Sequence, residues 1–158
     1  MIEYIIRKEV RIMGQFVDAQ VSQNISYSGG IAIPVTSTPT LFGTLGLNLA
    51  GAGPNLRVQF TATAAISSLA TVAVPIAIEI YRGVGPGRVL VYSAVETTPA
   101  LGVLGVAARS IITLTGSDNN PPNTGSLIYQ AFISIPGGIA IAPTRTGPES
   151  FNAAVYSN

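Results

Sequence analysis

At 158 residues, with a formal net charge of +1 and only 9% charged residues, the chain suits one domain with a sizeable core and carries no basic patch to mark nucleic acid or an anionic membrane as a partner. It has no histidine and no cysteine, which excludes Ser–His–Asp and Cys–His nucleophile systems, imidazole or thiolate metal sites, and disulfides. No uninterrupted run of about twenty apolar residues exists to span a bilayer as a helix.

Residues 2–12 come first and set the terms for the rest. Their even positions read Ile2, Tyr4, Ile6, Lys8, Val10 and Ile12, and their odd positions Glu3, Ile5, Arg7, Glu9 and Arg11. One row is apolar with a single exception and the other charged with a single exception, which predicts a half-buried strand. A helical stripe through Ile2, Ile5, Ile6 and Met13 is the competing reading. The charges in 2–12 also interrupt any apolar core that a cleaved secretory signal needs. Six of the fifteen charged residues (eight basic, seven acidic) fall in the first eighteen positions, so the composition breaks sharply after this arm.

Residues 15–28 alternate again, with Val17, Ala19, Val21, Ile25 and Tyr27 opposite Asp18, Gln20, Ser22, Asn24 and Ser26. They read as a connector that either begins the body or lies on a neighbour, closed by the Gly29-Gly30 turn. The predicted organisation is therefore an arm and connector over 1–28 and a β-sandwich body over 29–158.

Eleven prolines spread from Pro34 to Pro148, together with seventeen glycines, leave little room for a long helix. The body is expected to be all-β. Short strands are predicted at 31–35 and at 41–49, the latter with Leu41, Leu45, Leu47 and Leu49 on one face and Phe42 on the other. The clearest rows follow: Leu56, Val58, Phe60, Ala62, Ala64 and Ile66, then Val72, Val74, Ile76, Ile78 and Ile80. These two are expected to be sequential strands of one core sheet, with Pro75 marking an edge or a bulge. Further strands are predicted at 88–95, 109–115, 127–135, 139–142 and 151–156, with a long polar loop at 116–125. Eight or nine short strands at this spacing suit a sandwich or barrel, and the jelly roll is the eight-stranded version.

Little catalytic chemistry is left. Glu79 faces Glu96 if their strands pair, but two unrelated carboxylates beside Arg82 and Arg88 are the favoured reading. Residues 83–87 (GVGPG) look like a phosphate cradle, yet such loops lead into a helix and here a strand follows. Asp118-Asn119-Asn120 offers oxygen ligands of the kind calcium accepts, and Asn24-Ile25-Ser26 fits a glycosylation triplet. Neither pattern has enough around it to be read as a site. No enzyme activity, cofactor or metal is expected.

The paired rows at 56–66 and 72–81, with their Ser, Thr and Ala filling, and the segment GSDNNPPNTGSLIYQAFISI at 116–135 carry a resemblance. The body resembles the small trimer-forming jelly rolls of the tumour-necrosis-factor and complement-globular-head type. More narrowly, it is similar to jelly rolls of bacterial endospore surfaces: the C-terminal domains of collagen-like exosporium glycoproteins and the subunits of endospore appendage fibres. The resemblance implies assembly into rings or trimers stacked as a filament, joined by an N-terminal connector that docks on the next subunit. It also implies a spore-surface or extracellular location, with a spore-surface anchor as a further partner. Two features depart from it: there is no Gly-X-Y region, and there are no cysteines to staple neighbours.

The expectation is thus a self-assembling fibre subunit whose arm docks by strand addition, with Ile2, Tyr4, Ile6, Val10 and Ile12 as the docking side chains and other copies of the chain as the partner. The alternative is a jelly-roll binding module, either a carbohydrate-binding adhesin or a viral capsid protein. For the capsid, a basic arm is lacking.

Overall fold

The β-branched rows do form strands, and their apolar faces meet in one core. The computed structural model describes residues 14–69, 71–102, 104–137 and 141–158. The five docking side chains, Ile2, Tyr4, Ile6, Val10 and Ile12, lie outside the described residues, as does the first half of the strand expected at 139–142, whose second half, Ile141 and Ala142, is not in a strand.

Nine strands are present among the described residues: β1 (Gln15–Ile25), the two-residue β2 (Ile33–Pro34), β3 (Thr40–Asn48), β4 (Arg57–Leu69), β5 (Pro75–Arg82), β6 (Val89–Thr97), β7 (Ala107–Asn119), β8 (Ser126–Ser134) and β9 (Thr144–Ser157). One sheet runs β1-β9-β4-β7, with β2 paired to the start of β9, and the other runs β3-β8-β5-β6. All pairings are antiparallel. Eight main strands split four and four in this order make a jelly roll.

Val58, Phe60, Ala62, Ala64 and Ile66 of β4 face Ile76, Ile78 and Ile80 of β5 across the sandwich, and Leu47, Tyr129, Ile133, Phe151 and Val155 fill in around them. At the Leu49 end of β3 the chain turns back within a few residues. At Gly43 the approach is closest: a Cβ there would stand 2.6 Å from the Phe151 Cβ, so only glycine lets β3 pack onto β9.

Several expectations need correction. The rows at 56–66 and 72–81 sit in opposite sheets, because β4 and β5 pair with different partners and face each other. Pro75 is neither on an edge strand nor in a bulge. It is the first residue of β5 and lies before β8 joins the ladder at Ala77, so no hydrogen bond to β8 is lost. In β3 a bulge between Leu41 and Gly43 turns Phe42 into the core and leaves Leu41 exposed. Strand β7 continues to Asn119 and thereby shortens the loop expected at 116–125. The connector at 15–28 begins the body: β1 pairs along its length with β9 of the same chain. The body therefore starts at Gln15 rather than at residue 29.

Strand direction gives the sandwich two distinct ends. β1 and β4 start where β7 and β9 finish, since Gln15 pairs with Ser157 and Arg57 with both Tyr156 and Asn119. Gly14 and Asn158 therefore lie at this terminal end. The β4–β5, β6–β7 and β8–β9 connections lie at the opposite, loop end. Residues 70–74, 98–106 and 135–143 contain no charged side chain, and Leu69, Val72, Leu101, Leu104 and Ile141 are exposed around them.

Candidate assembly surface

A two-sheet sandwich has two open flanks, and here they are finished differently. On the first flank, β1 and β3 are the edge strands. The Asp18 carboxylate accepts a hydrogen bond from the Asn48 backbone N–H at 2.8 Å, and the Ser22 hydroxyl accepts one from the Thr44 N–H at 3.2 Å. Side chains of β1 thus occupy two backbone donors of β3, which blunts the β3 edge as a template for pairing. The Asn48 N–H favours the charged form of Asp18 and holds its carboxyl below the usual aspartate range, with Gln20 adding a weaker contact. Asp18 and Ser22, which make these contacts, both belong to the polar row of β1. Bulges fall between Phe16 and Asp18 and between Gln23 and Ile25, and Phe16 and Val21 are exposed.

Deeper on the same side lies a charge pair that the sequence did not single out. Arg145 and Glu149 are both buried, and the guanidinium grips the carboxylate through two contacts, Nε to Oε1 at 2.5 Å and Nη2 to Oε2 at 2.6 Å. The Asn24 side-chain amide donates to the same carboxylate at 2.7 Å. The Asn24 amide nitrogen, the atom a glycan would join, is thereby hydrogen-bonded within the chain, while the residue itself is exposed. The only sequence signal was two charges four residues apart inside an otherwise apolar-periodic strand.

The second flank, between β6 and β7, is closed for half its length. Near the terminal end Asp118 accepts from Arg82 at 2.5 Å and from the Tyr129 hydroxyl at 2.8 Å. Asp118 therefore spends its lone pairs on tying the two sheets together, and not on the loop where calcium was considered. Tyr129 is fully buried, and burial, with the Asp118 carboxylate accepting from its hydroxyl, pushes its pKa far above the ordinary value. Phe60 and Tyr92 meet edge to face at 5.7 Å beside Gly116, where a Cβ would stand 2.7 Å from the Phe60 ring.

Towards the loop end the flank opens. Residues 96–99 and 110–113 line a groove of about 530 Å³. No main-chain pairing joins β6 to β7, so both edges are free among the described residues. β6 has no buried residue and β7 is thirteen residues long, with Ile111 68% exposed on its sheet's outer face. Long unprotected edges of this kind are ready templates for another strand. Sequence reasoning missed the groove because it is made by two strands that do not pair.

The remaining candidate residues do not converge. β5 and β6 pair, but Glu79 lies opposite Ser93 and Glu96 opposite Ile76, so the two carboxylates form no dyad. Residues 83–87 make the hairpin connection between β5 and β6, through a single 3-10 turn at Gly85–Gly87, and no helix follows them. On the outer face of the second sheet the Arg88 guanidinium stacks 4.5 Å from the Tyr81 ring and 4.3 Å from the Phe132 ring. The Tyr81 hydroxyl donates to Glu79 at 3.0 Å. That ring is covered, which removes it as a platform for stacking a sugar.

No protein-family model and no curated protein matches this chain. Among solved structures, it is similar to dimeric latent PorU from Porphyromonas gingivalis, with a TM-score of 0.52 and 11% identity over 91% of this chain. The chain spans 13% of that protein. It is also similar to Eiger TNF from S. frugiperda, with a TM-score of 0.48 and 11% identity, covering 91% of this chain and 94% of that one. At these identities the likeness is one of fold.

Proposed function

We propose that this protein is a self-assembling structural subunit of an extracellular or spore-surface fibre, in which the N-terminal arm of one copy adds a strand to another. The observation that carries the reading is the contrast between the flanks. Asp18 and Ser22 bridge the β1 and β3 edges and leave only a smaller groove of about 310 Å³ there, whereas β6 and β7 leave two long free edges beside an uncharged, apolar loop end. The alternation at 2–12 is the pattern of a half-buried strand, and the low charge of the body suits a surface covered by other subunits.

The energetics are adequate only in number. Burying the larger apolar arm residues contributes roughly 1.5–3 kcal/mol each, and ordering the arm costs about 1–2 kcal/mol per residue. A single joint is therefore weak. Copies arranged in rings or trimers make several joints per layer, and such multivalency turns weak joints into a persistent filament. A head-to-tail contact that does not close on itself yields an open fibre.

Deletion of residues 1–13 tests the reading. The strands and core lie within Gln15–Ser157, so the shortened chain is expected to keep its β-sheet circular dichroism and cooperative unfolding while negative-stain microscopy shows no filaments. Filaments of normal length from the shortened chain would falsify the role of the arm.

A further inference from the structure

The groove and the root of the arm lie at opposite ends of the sandwich. β1 runs from Gln15 at the terminal end towards the loop end, so the chain that precedes Gly14 is attached at the end farther from the groove. To reach its own groove the arm would have to reverse at Gly14 and run back along the body. In a head-to-tail neighbour the loop end is the first surface it meets. Thirteen extended residues span at most about 43–47 Å, comparable to the length of a thirteen-residue strand.

Resting on the assembly reading above, we infer that the groove between β6 and β7 is the seat for residues 1–13 of the next copy, in a register that sets Lys8 against Glu96. Alternation supplies the argument. A strand added along β7 turns one row into the groove and the other onto the outer face of the sheet. The apolar row, with Ile2, Tyr4, Ile6, Val10 and Ile12, suits the groove, and its one exception is the basic Lys8. Glu96 is the one charged residue that lines the groove. The charged row suits the outer face, and its one exception is Ile5. Along that face β7 presents Ala107, Arg109, Ile111, Thr113, Thr115 and Ser117, a mostly polar row. The exception in the inward row thus has its counterpart on the seat.

Charge exchange in the full-length chain tests the seat. Lys8→Glu and Glu96→Lys are each expected to raise the critical concentration for filament formation about tenfold or more at low salt, because like charges then face each other. The double variant is expected to restore it to within about twofold of the parent. A second measurement uses the absence of native cysteine: Glu9→Cys with Ile111→Cys, treated with a short bis-maleimide, is expected to give an interchain ladder on a denaturing gel. Glu9→Cys with Leu41→Cys, on the opposite flank, is expected to give none. If the single variants assemble normally, if the double variant stays defective, or if the cross-link forms within one chain, the seat is wrong. Should the 1–13 deletion still abolish filaments in that case, the assembly reading stands without it.

Discussion

Glu149 has no solvent exposure, and its negative charge is tolerable only because Arg145 and Asn24 together satisfy both oxygens. Removing one member leaves the other charged and unpaired. Glu149→Ala is expected to cost about 3–5 kcal/mol in urea denaturation, whereas Arg145→Met with Glu149→Leu is expected to cost much less than that single change. Tyr129 behaves differently because it is buried in the neutral form. Its raised pKa means that the folded chain keeps this proton where the unfolded chain gives it up. Its contribution is complete below the ordinary tyrosine pKa and declines as pH rises above it. The urea midpoint is therefore expected to fall between about pH 9 and 11, and Tyr129→Phe to flatten that slope. The same change sacrifices a hydrogen bond to a carboxylate, worth about 1.5–3 kcal/mol at neutral pH.

At the scale of the strand, β1 guards the β3 edge with side chains rather than by pairing with it. Asp18→Ala combined with Ser22→Ala is expected to leave the fold intact but expose that edge, so light scattering should show a monomeric or short-chain population shifting to larger, irregular aggregates. Acid acts in the same direction. The Asp18 carboxyl titrates below the usual range, so its contact with Asn48 is at full strength above that range and is lost as pH falls through and below it. This guard was hard to read from the sequence. Alternation separates two rows, but it does not say which row faces inward, and in β1 the bulges leave Val17 of one row and Asp18 and Ser22 of the other all half-buried. The row of β4 was legible because every second residue is apolar and the opposite row is mostly polar, and the rows of β5 and β8 because an unbroken apolar alternation runs through them. Their division between two sheets was not, since an inward row looks the same from either side of a sandwich. The Leu41–Gly43 bulge defeated the period in β3 for the same reason a one-residue slip does: it exchanges the faces.

For the whole molecule, the all-β class, the strand count and the late polar loop followed from proline, glycine and alternation, and the strand order then makes the sandwich a jelly roll. The groove is a property of that order. It arises where the last strand of one sheet and the last strand of the other stand side by side without bonding, and no local pattern encodes such a meeting. Asp118 shows how the same meeting fixes roles: read as part of a polar loop, its carboxylate stood among candidate ligands, whereas strand pairing with Val58 places it between Arg82 and Tyr129.

The separation of the chain terminus from the open flank also bears on growth. A row of copies joined arm to groove finishes in a vacant slot at one tip and a dangling strand at the other. Newcomers would then meet chemically unlike tips, one reading their tails and the other offering its own, so elongation would run at two different speeds. A single protein with a blunted tail or a plugged slot would be enough to stop one tip and leave the other growing.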